Sequence, residues 1–404
     1  MKLSVLTYGT EGDTRPVAIL CRALMDAGHQ VHLLAEAGSL DSARELAVPC
    51  AGLNGDIKQD LQTLLAQGVG VNATVKGLSR MANAHAQSWM RQSAEAAAGS
   101  NGLIVSGLSA FVGLSVAEHL GIPLIGAGMI PISPTKAFPS PFLSGLRLPS
   151  SLNRTSHSLV NWLLWLSFKT SVNQARKQVL GMRPRHRLWT EHPMLYGVSP
   201  ALLPRPADWP ANATLCGQWS VPDQPWTPSA DLQAFLDAGE APVYVGFGSM
   251  GGFDRTSLLR TLLQALEGER VLFYPGWAGI PDIALPDNVY VLGDTPHHWL
   301  FPRVSLAIHH GGSGTTHSAC AAGIPSIVLP FAGDQFFWGK QLELLGLAGK
   351  PISRQNLSVN TVRDAVRFAA TSELRSRAKA LARAMAAENG TAVAVARIQS
   401  LLGH

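Results

Sequence analysis

Short apolar runs alternate with helical patterns along most of this chain, and that alternation constrains its fold more than any other feature. Residues 3–8 predict a strand, a glycine-rich turn leads into a helical pattern that ends near Ala27, and residues 31–35 predict the next strand. The same order of elements returns over residues 103–125. Strands that alternate with helices in this way predict a parallel sheet covered by helices on both faces.

The alternation stops once and starts again, which predicts two domains. Residues 218–229 contain three prolines and no periodic pattern, as linkers between domains commonly do. Beyond them, strands are predicted at 243–247, 270–274, 289–292, 305–308 and 324–329. A chain of 404 residues is also too long for one compact core. We therefore expect an N-terminal domain over residues 1–218, a linker over 219–229 and a C-terminal domain over 230–404, whose last helix packs back on the first domain.

Charge and cysteine usage narrow the class of partner. The formal charge of +5 and the isoelectric point near 9.1 fit an anionic substrate or a membrane surface. Because lysines and arginines are scattered rather than grouped in runs, nucleic acid is not expected as a partner. The cysteines lack the spacing of metal ligands and are expected to be reduced, buried thiols: Cys21, Cys50, Cys216 and Cys320. The first apolar run is too short for a signal peptide, so we expect a cytoplasmic protein.

The stretch LVNWLLWLSF at residues 159–168 comes nearest to a membrane segment. It is shorter than the roughly 18 apolar residues that a spanning helix needs. Arg154, His157 and Lys169 flank it. Two interpretations remain open, which are a buried helix face and a peripheral contact with a membrane surface, where tryptophans with flanking cations are common.

The segment HHGGSGTT at residues 309–316 is the strongest chemical motif, because it follows a predicted strand and opens a predicted helix. Backbone N–H groups at such a helix start bind phosphate oxygens, and glycines let a diphosphate approach the backbone closely. Ser313 and Thr315 add hydroxyl donors, and His310 is placed to donate to a phosphate oxygen. The alternative is that the glycines only allow tight strand–helix packing.

Three further strand ends carry groups that suit the rest of a nucleotide sugar. Asp334 and Gln335 together offer the acceptors and the donor needed to bind adjacent sugar hydroxyls. Ser249 ends the loop after the strand at 243–247, and the loop at 293–300 offers backbone groups and apolar surface for a base. Four strand ends equipped in this way meet at one edge of a parallel sheet, where ligands of such sheets bind.

With these motifs the sequence resembles the family-1 glycosyltransferases of GT-B fold, and within them the sterol 3-beta-glucosyltransferase-like group. It is also similar to bacterial natural-product and glycopeptide glycosyltransferases. The resemblance spans nearly the whole chain and rests on GTEGDTRP at 9–16, AFPSPF at 137–142, LYGVSPALLPRPADWP at 195–210, VGFGSM at 245–250, PHHWLFPRVSLAIHHGGSGTT at 296–316 and PFAGDQFFWG at 330–339. It implies an α/β protein with two Rossmann-like, doubly wound parallel-sheet domains that face each other across a cleft.

The resemblance implies an inverting transfer of a sugar, glucose in the first instance, from a UDP-sugar to a hydroxyl of a lipophilic acceptor such as a sterol, terpenoid, polyketide or phenolic. The UDP-sugar is a co-substrate, and no cofactor is expected. No two aspartates are separated by a single residue, so no DxD metal site is expected either. The implied donor-binding residues are Ser249, Gly293, Thr295, His310, Gly312, Ser313, Gly314, Thr315, Asp334 and Gln335.

One position departs from the plant members of the family. They carry a glutamate that binds ribose eight residues after the motif histidine, where this chain has Ser318. The departure puts that ribose contact in doubt and favours a place among bacterial and fungal members.

The predicted catalytic base is Asp13. Many relatives carry a histidine there, oriented by an aspartate, whereas this chain has Gly107 at the aspartate position. These two differences from the relatives are consistent with each other. A histidine base needs a partner that fixes its tautomer, whereas a carboxylate base does not. The alternative role for Asp13 is that of an N-cap for a helix starting at Thr14. The expected acceptor-binding residues come from the same domain: Gly12, Phe111, Met129, Phe138, Phe142 and Trp162, with Trp165 and Trp189 as further candidates.

Two other functions compete with this one. A Rossmann oxidoreductase would also begin with a strand, a glycine-rich turn and a helix, but the turn at residues 9–13 lacks the GxGxxG order. A non-catalytic module that binds a nucleotide sugar or a lipid would keep the donor motif and have no use for Asp13. The sequence leaves open whether the protein is a monomer or a homodimer, and whether the donor is UDP-glucose, UDP-xylose, UDP-galactose or a dTDP-sugar.

Overall fold

The computed structural model describes residues 1–56, 59, 71–220, 226–248, 254–276, 279–280 and 283–403. It contains two parallel sheets, which confirms the predicted α/β fold. The first has the order β3-β2-β1-β4-β5-β6-β7. Its strands are β1 Lys2–Leu6, β2 Gln30–Glu36, β3 Cys50–Leu53, β4 Gly102–Val105, β5 Leu124–Gly128, β6 Met194–Tyr196 and β7 Ala213–Leu215.

The second sheet has the order β10-β9-β8-β11-β12. Its strands are β8 Val243–Gly246, β9 Val271–Tyr274, β10 Val289–Val291, β11 Leu306–His309 and β12 Ser326–Val328. The pairings described in both sheets are parallel, as in β1 with β4 and β8 with β11. Strand order reverses beside β1 in the first sheet and beside β8 in the second, so each sheet has a switch point where ligands of open α/β sheets bind.

Helices connect the strands and cover both sheets. Those of the first half are α1 Glu11–Asp26, α2 Asp41–Glu45, α3 Val71–Ala97, α4 Ala110–Leu120 and α5 Asn153–Leu180. Those of the second half are α6 Ala230–Asp237, α7 Arg255–Ala265, α8 His297–Leu300, α9 Ser313–Ala321, α10 Gln335–Leu344, α11 Val359–Ala369, α12 Ser372–Ala386 and α13 Gly390–Leu401.

The chain returns to the first sheet at its end. Ala394, Val395 and Ile398 of α13 belong to the same buried cluster as Leu3 and Val5 of β1. The domain boundaries of the sequence analysis stay predictions. Part of the predicted linker, residues 221–225, lies outside the described residues.

Helix α5 contains the apolar stretch at 159–168. Trp165 and Phe168 are buried in the core of the first half, as the first interpretation expects, while Trp162 and Leu163 are exposed. Within the described part of the chain, none of the helices is long and apolar enough to cross a membrane. The four cysteines are free thiols, three buried and Cys50 half-buried.

Candidate active site

The donor motif forms a tight turn between β11 and α9. Gly311 has a φ of +86°. A Cβ atom there would lie 2.7 Å from Val328 Cγ1 and 2.9 Å from the Gln335 carbonyl oxygen. Only glycine tolerates both the conformation and the close neighbours. The turn therefore places the first N–H groups of α9, which begins at Ser313 with Gly312 as its N-cap, at the carboxyl edge of the second sheet.

His310 is held between two glycines at this edge. A Cβ at Gly312 would lie 2.5 Å from its Nε2, and one at Gly248 would lie 3.3 Å from its Cε1. The His310 Nδ1 is buried without a hydrogen-bond partner in the structure. Burial lowers the pKa of His310 to about 4, so the ring is neutral at pH 7. A neutral imidazole with an unsatisfied ring nitrogen suits a bond to a ligand, because such a group is costly to leave unpaired.

Ser313 connects the two halves of the molecule. Its hydroxyl donates to the Met129 carbonyl oxygen, 3.1 Å away, at the end of β5. His317, one turn further along α9, lies 2.7 Å from the Ser313 carbonyl through Nδ1 and accepts the Ser199 N–H at Nε2, 3.3 Å away. Burial lowers the pKa of His317 to about 4, which fits a neutral ring that donates from Nδ1. The structure thus joins two predicted site residues in one hydrogen bond: Ser313, expected to bind the sugar nucleotide, and Met129, expected to bind the alcohol substrate.

Asp334 and Gln335 both make hydrogen bonds within the protein. The Gln335 Oε1 accepts the backbone N–H of Phe331 at 2.7 Å and of Ala332 at 3.1 Å, so this amide oxygen fixes its own loop. Asp334 is half-buried and accepts the Trp338 Nε1–H at Oδ2, 2.8 Å away. Burial, with a smaller contribution from the charge of Asp13, raises the pKa of Asp334 to about 6. The roles of both residues in sugar binding stay predictions.

The remaining residues predicted to bind the sugar nucleotide lie around the same edge. Gly293 and Gly314 have open space beside them, since a Cβ atom on either would meet nothing within 4 Å. Thr295 donates its hydroxyl to the Gly293 carbonyl at 3.1 Å, and Thr315 is half-buried in the first turn of α9. Ser249 lies outside the described residues.

Sequence reasoning missed a contact between two other strand ends of this sheet. The Tyr274 hydroxyl, at the end of β9, donates to Asp294 Oδ1 at 2.8 Å, just after β10. Both residues stand at carboxyl ends of predicted strands, and that position was the signal that could have identified them. The pair borders the loop that was predicted to hold a base.

Asp13 lies in the first turn of α1, which begins at Glu11 and not at Thr14 as predicted. The N-cap is Thr10, so the N-cap role considered for Asp13 is wrong. Asp13 is instead the third helical residue of a capping box, in which its Oδ2 accepts the Thr10 N–H at 2.9 Å. The residue is exposed, while desolvation by the protein around its carboxyl raises its pKa.

The first turn of α1 faces the edge of the second sheet. Burial is the main cause that raises the pKa of Asp334, and the charge of Asp13 adds to it. Burial and Asp294 raise the pKa of Tyr274, with a smaller contribution from Glu11, and burial lowers the pKa of His297, with a smaller contribution from Arg15. Asp13 of the first half therefore lies near Asp334, the candidate sugar-binding residue of the second.

The predicted acceptor residues do not form one cluster. Phe111 packs against Trp165 and Trp189 in the core of the first half, with ring centroids 5.3 and 6.4 Å away. Phe138 lies 5.0 Å from Phe337 of the other half, so it borders the space between them. The rest are exposed or half-buried and stay predictions: Gly12, Met129, Phe142 and Trp162.

Comparison with known proteins gives a consistent picture. Residues 258–401 match the family model for the C-terminal domain of erythromycin biosynthesis protein CIII-like proteins. The chain is 31% identical, over 98% of its length, to a sterol 3-beta-glucosyltransferase of Arabidopsis thaliana, of which it covers 67%. It is 32% identical, again over 98% of its length, to a sterol 3-beta-glucosyltransferase of Yarrowia lipolytica, of which it covers 28%. The chain thus spans about two thirds of the plant relatives and about 30% of the fungal ones.

Solved structures share the architecture. The glycotransferase of kitacinnamycin matches with a TM-score of 0.71 and 18% identity over 99% of both chains. The glycosyltransferase VinC, in complex with dTDP, matches with a TM-score of 0.68 and 17% identity over 100% of this chain and 99% of that one. At these identities the likeness shows the fold alone.

Plant and fungal relatives match the chain about equally. Two plant sterol glucosyltransferases have 31% and 32% identity, and the fungal ones have 29–32%. The expected place among bacterial and fungal members, based on Ser318, stays a prediction.

Proposed function

Because the chain belongs to the sterol 3-beta-glucosyltransferase-like group of GT-B glycosyltransferases, we propose that it transfers a sugar from a UDP-sugar to a hydroxyl of a lipophilic alcohol. Glucose is the first candidate sugar, and the transfer inverts the anomeric carbon. One observation carries the proposal: the carboxyl edges of the two sheets meet, since Ser313 of the α9 turn bonds the Met129 carbonyl of the first half at 3.1 Å, and the charge of Asp13 adds to burial in raising the pKa of Asp334.

In this mechanism the acceptor hydroxyl gives its proton to Asp13 while its oxygen attacks the anomeric carbon. The bond between that carbon and the diphosphate oxygen breaks on the opposite side, and the nucleoside diphosphate leaves with the electron pair. The raised pKa of Asp13 makes it a stronger base than an ordinary aspartate. A base positioned in this way typically contributes about 10²–10⁴ in rate. Its hydrogen bond from the Thr10 N–H keeps the carboxylate in place.

The negative charge of the leaving diphosphate is met by fixed dipoles. The free N–H groups at the start of α9 carry about half a positive charge at the helix N-terminus. His310 contributes a neutral ring with an unpartnered nitrogen. The Ser313 hydroxyl can exchange its bond to the Met129 carbonyl for one to a phosphate oxygen. We propose that these groups act without a metal ion, and that the protein needs no cofactor besides its co-substrate.

The relatives support the choice of substrates. Their names describe glucose transfer to sterols. Two neighbouring structures hold thymidine diphosphate, which supports a nucleoside diphosphate site without selecting uracil over thymine. The aromatic side chains of the first half, Phe138 among them, suit a bulky apolar alcohol. Since the chain spans only part of its relatives, these substrates are proposals for this chain, and terpenoids, polyketides and phenolics are the other acceptor classes to screen.

The test is the release of UDP from UDP-glucose with and without a sterol, followed by mass spectrometry of the lipid. We expect UDP release that depends on the sterol, together with a sterol product heavier by one hexose. A non-catalytic binding module would bind UDP-glucose without turnover. An oxidoreductase would instead bind a nicotinamide dinucleotide and change its absorbance with substrate. Either result would refute the proposal.

A further inference from the structure

Helix α5 carries apolar side chains on its exposed side as well as on its buried side. Four of them form what we call the α5 stripe, with exposed fractions of 47% for Leu159, 51% for Trp162, 47% for Leu163 and 41% for Leu166. At 3.6 residues per turn these four positions share one side of the helix. Trp165 and Phe168, on the other side, are buried. A contiguous apolar surface of this kind marks a contact site more often than single exposed leucines do.

The segment that contains the stripe is positively charged throughout. Residues 119–190 contain nine lysines and arginines and no aspartate or glutamate. Arg176 and Arg185 pair with Glu118, which lies just outside the segment. No ion pair is described for the other seven: Lys136, Arg147, Arg154, Lys169, Lys177, Arg183 and Arg187.

Some of these cations lie close to the stripe along the helix. Lys169 follows Leu166 by three residues, whereas Arg154, five residues before Leu159, lies on a different side of the helix. Lys177 lies eighteen residues after Leu159, which is about five turns, and so returns to the same side of the helix. The surface therefore combines tryptophan and leucine with unpaired positive charge.

We propose that the α5 stripe and its surrounding cations dock this protein on a membrane that contains anionic lipids. Trp and Leu side chains on an interfacial helix enter the boundary between headgroups and acyl chains, to a depth of about 5–10 Å. Lysines and arginines beside them meet the negative surface potential. The docked protein lies on the bilayer surface.

The helix that carries the docking surface also contacts residues at the boundary between the two halves. His157 of α5 bonds the Phe138 carbonyl through Nε2 at 3.1 Å and the Ile132 carbonyl through Nδ1 at 3.3 Å. Phe138 in turn packs on Phe337 of the second half. A docked protein would thus hold the entrance to the cleft near the bilayer, from which a lipophilic acceptor could enter. This last step rests on the proposed function, whereas the docking itself does not.

A second copy of the chain is the rival occupant of the stripe. A symmetric dimer built on α5 would place the same patch of both chains together. Lys169 and Lys177 of one copy would then face those of the other, and residues 119–190 offer no carboxylate to pair with them. An anionic bilayer supplies both the apolar layer and the opposite charge, so it fits the patch better.

Vesicle flotation tests the docking without donor or acceptor. The probes are vesicles of phosphatidylcholine alone and vesicles with about a third phosphatidylglycerol. We expect the wild type to float with the anionic vesicles, and the double variant Trp162→Ser/Leu163→Ser to bind at least about tenfold more weakly. The control Leu344→Ser removes an apolar side chain that is 68% exposed in the second half, and it should bind like the wild type. The substitutions Lys169→Gln and Lys177→Gln should each weaken anionic binding by about fivefold.

Circular dichroism and thermal melting check that each variant is folded. The proposal is overturned if the wild type does not float with anionic vesicles, if the double variant floats as well as the wild type, or if neutral vesicles bind equally well. It is also overturned if sedimentation shows a dimer that the double variant converts to a monomer, because a second copy would then cover the stripe. Because the flotation assay contains no substrate, a negative result would not bear on the transferase activity, which the UDP-release assay tests separately.

Discussion

Replacing Gly9 by alanine should disable transfer while donor binding stays nearly intact. A Cβ atom at Gly9 would lie 2.3 Å from Asp13 Oδ2, 2.5 Å from its Cγ and 2.7 Å from its Cβ. Carbon atoms in contact normally stay about 3.5–4.0 Å apart, so the Asp13 side chain must move by about 1 Å. A displacement of that size in a catalytic group can cost about 10² in rate, or about 2.7 kcal/mol of activation free energy.

The same clash weakens the capping box at the start of α1. Loss of a cap costs about 0.5–2 kcal/mol, which lowers the melting temperature by a few degrees and leaves the protein folded. The donor groups lie on the other sheet, so the affinity for UDP should change little.

Steady-state UDP release and calorimetric titration with UDP measure the two effects of Gly9→Ala separately. The matched control is Gly128→Ala, another glycine at a strand end of the first sheet, where the nearest atom to a Cβ is the Ile130 carbonyl oxygen at 3.9 Å. That variant should turn over like the wild type. If Gly9→Ala is folded and turns over within about twofold of the wild type, the placement of Asp13 does not control the reaction, and the reasoning is wrong.

Three further predictions concern the second half of the molecule. Trp338→Phe removes the N–H group that bonds Asp334 Oδ2 and lowers the pKa of that carboxyl, so the pKa of Asp334 should rise. We expect KM for the sugar nucleotide to rise by about tenfold and the acid limb of the pH–rate profile to move to higher pH. An unchanged profile would contradict this. The histidines His297, His309, His310 and His317 are neutral in the fold, with pKa values lowered to about 4, 3, 4 and 4. In the unfolded chain these histidines have pKa values near 6.5, so below that pH it binds more protons than the folded protein does. The melting temperature should therefore fall as pH drops from about 6.5 to about 4, and a melting temperature that stays constant over this range would contradict the buried, neutral rings. Transfer should continue in EDTA, and loss of activity that added metal restores would refute the metal-free mechanism.

Local patterns were enough to predict the five strands of the second sheet and four strands of the first, β1, β2, β4 and β5, but not the short strands β3, β6 and β7. Each β–α–β unit is specified within a few tens of residues, because a buried strand needs an apolar run and a covering helix needs its own periodicity. The predicted strand at 305–308 and the observed β11, Leu306–His309, differ by one residue. The start of α1 was misplaced because Thr10 and Asp13 are both good capping residues, and only the backbone shows which of them is the N-cap.

The pairing of side chains across the cleft could not be predicted in the same way. The bonds from Ser313 to Met129 and from Ser199 to His317 join residues far apart in the chain, and they depend on how the two sheets pack. The Gln335 side-chain oxygen, for example, accepts two backbone N–H groups of its own loop, a contact that the motif alone does not reveal. A motif identifies which side chains are present at an edge, and the packing decides which of their atoms are already bonded.

The two interpretations of residues 159–168 illustrate the same limit. The stretch is apolar on all sides, and a helix with that pattern has no unique buried face. The structure buries Trp165 and exposes Trp162, so both interpretations describe part of the helix.

The central claim, that Asp13 is the base of a sugar transfer, is tested most directly by Asp13→Asn. Asparagine keeps the size of the side chain and an oxygen for the Thr10 N–H, and it cannot accept the proton at neutral pH. The measurement is the single-turnover rate of sterol glucoside formation, beside the affinity for UDP-glucose. We predict a rate about 10²–10⁴ lower with an unchanged affinity. Wild-type turnover in a folded Asp13→Asn protein would contradict the account.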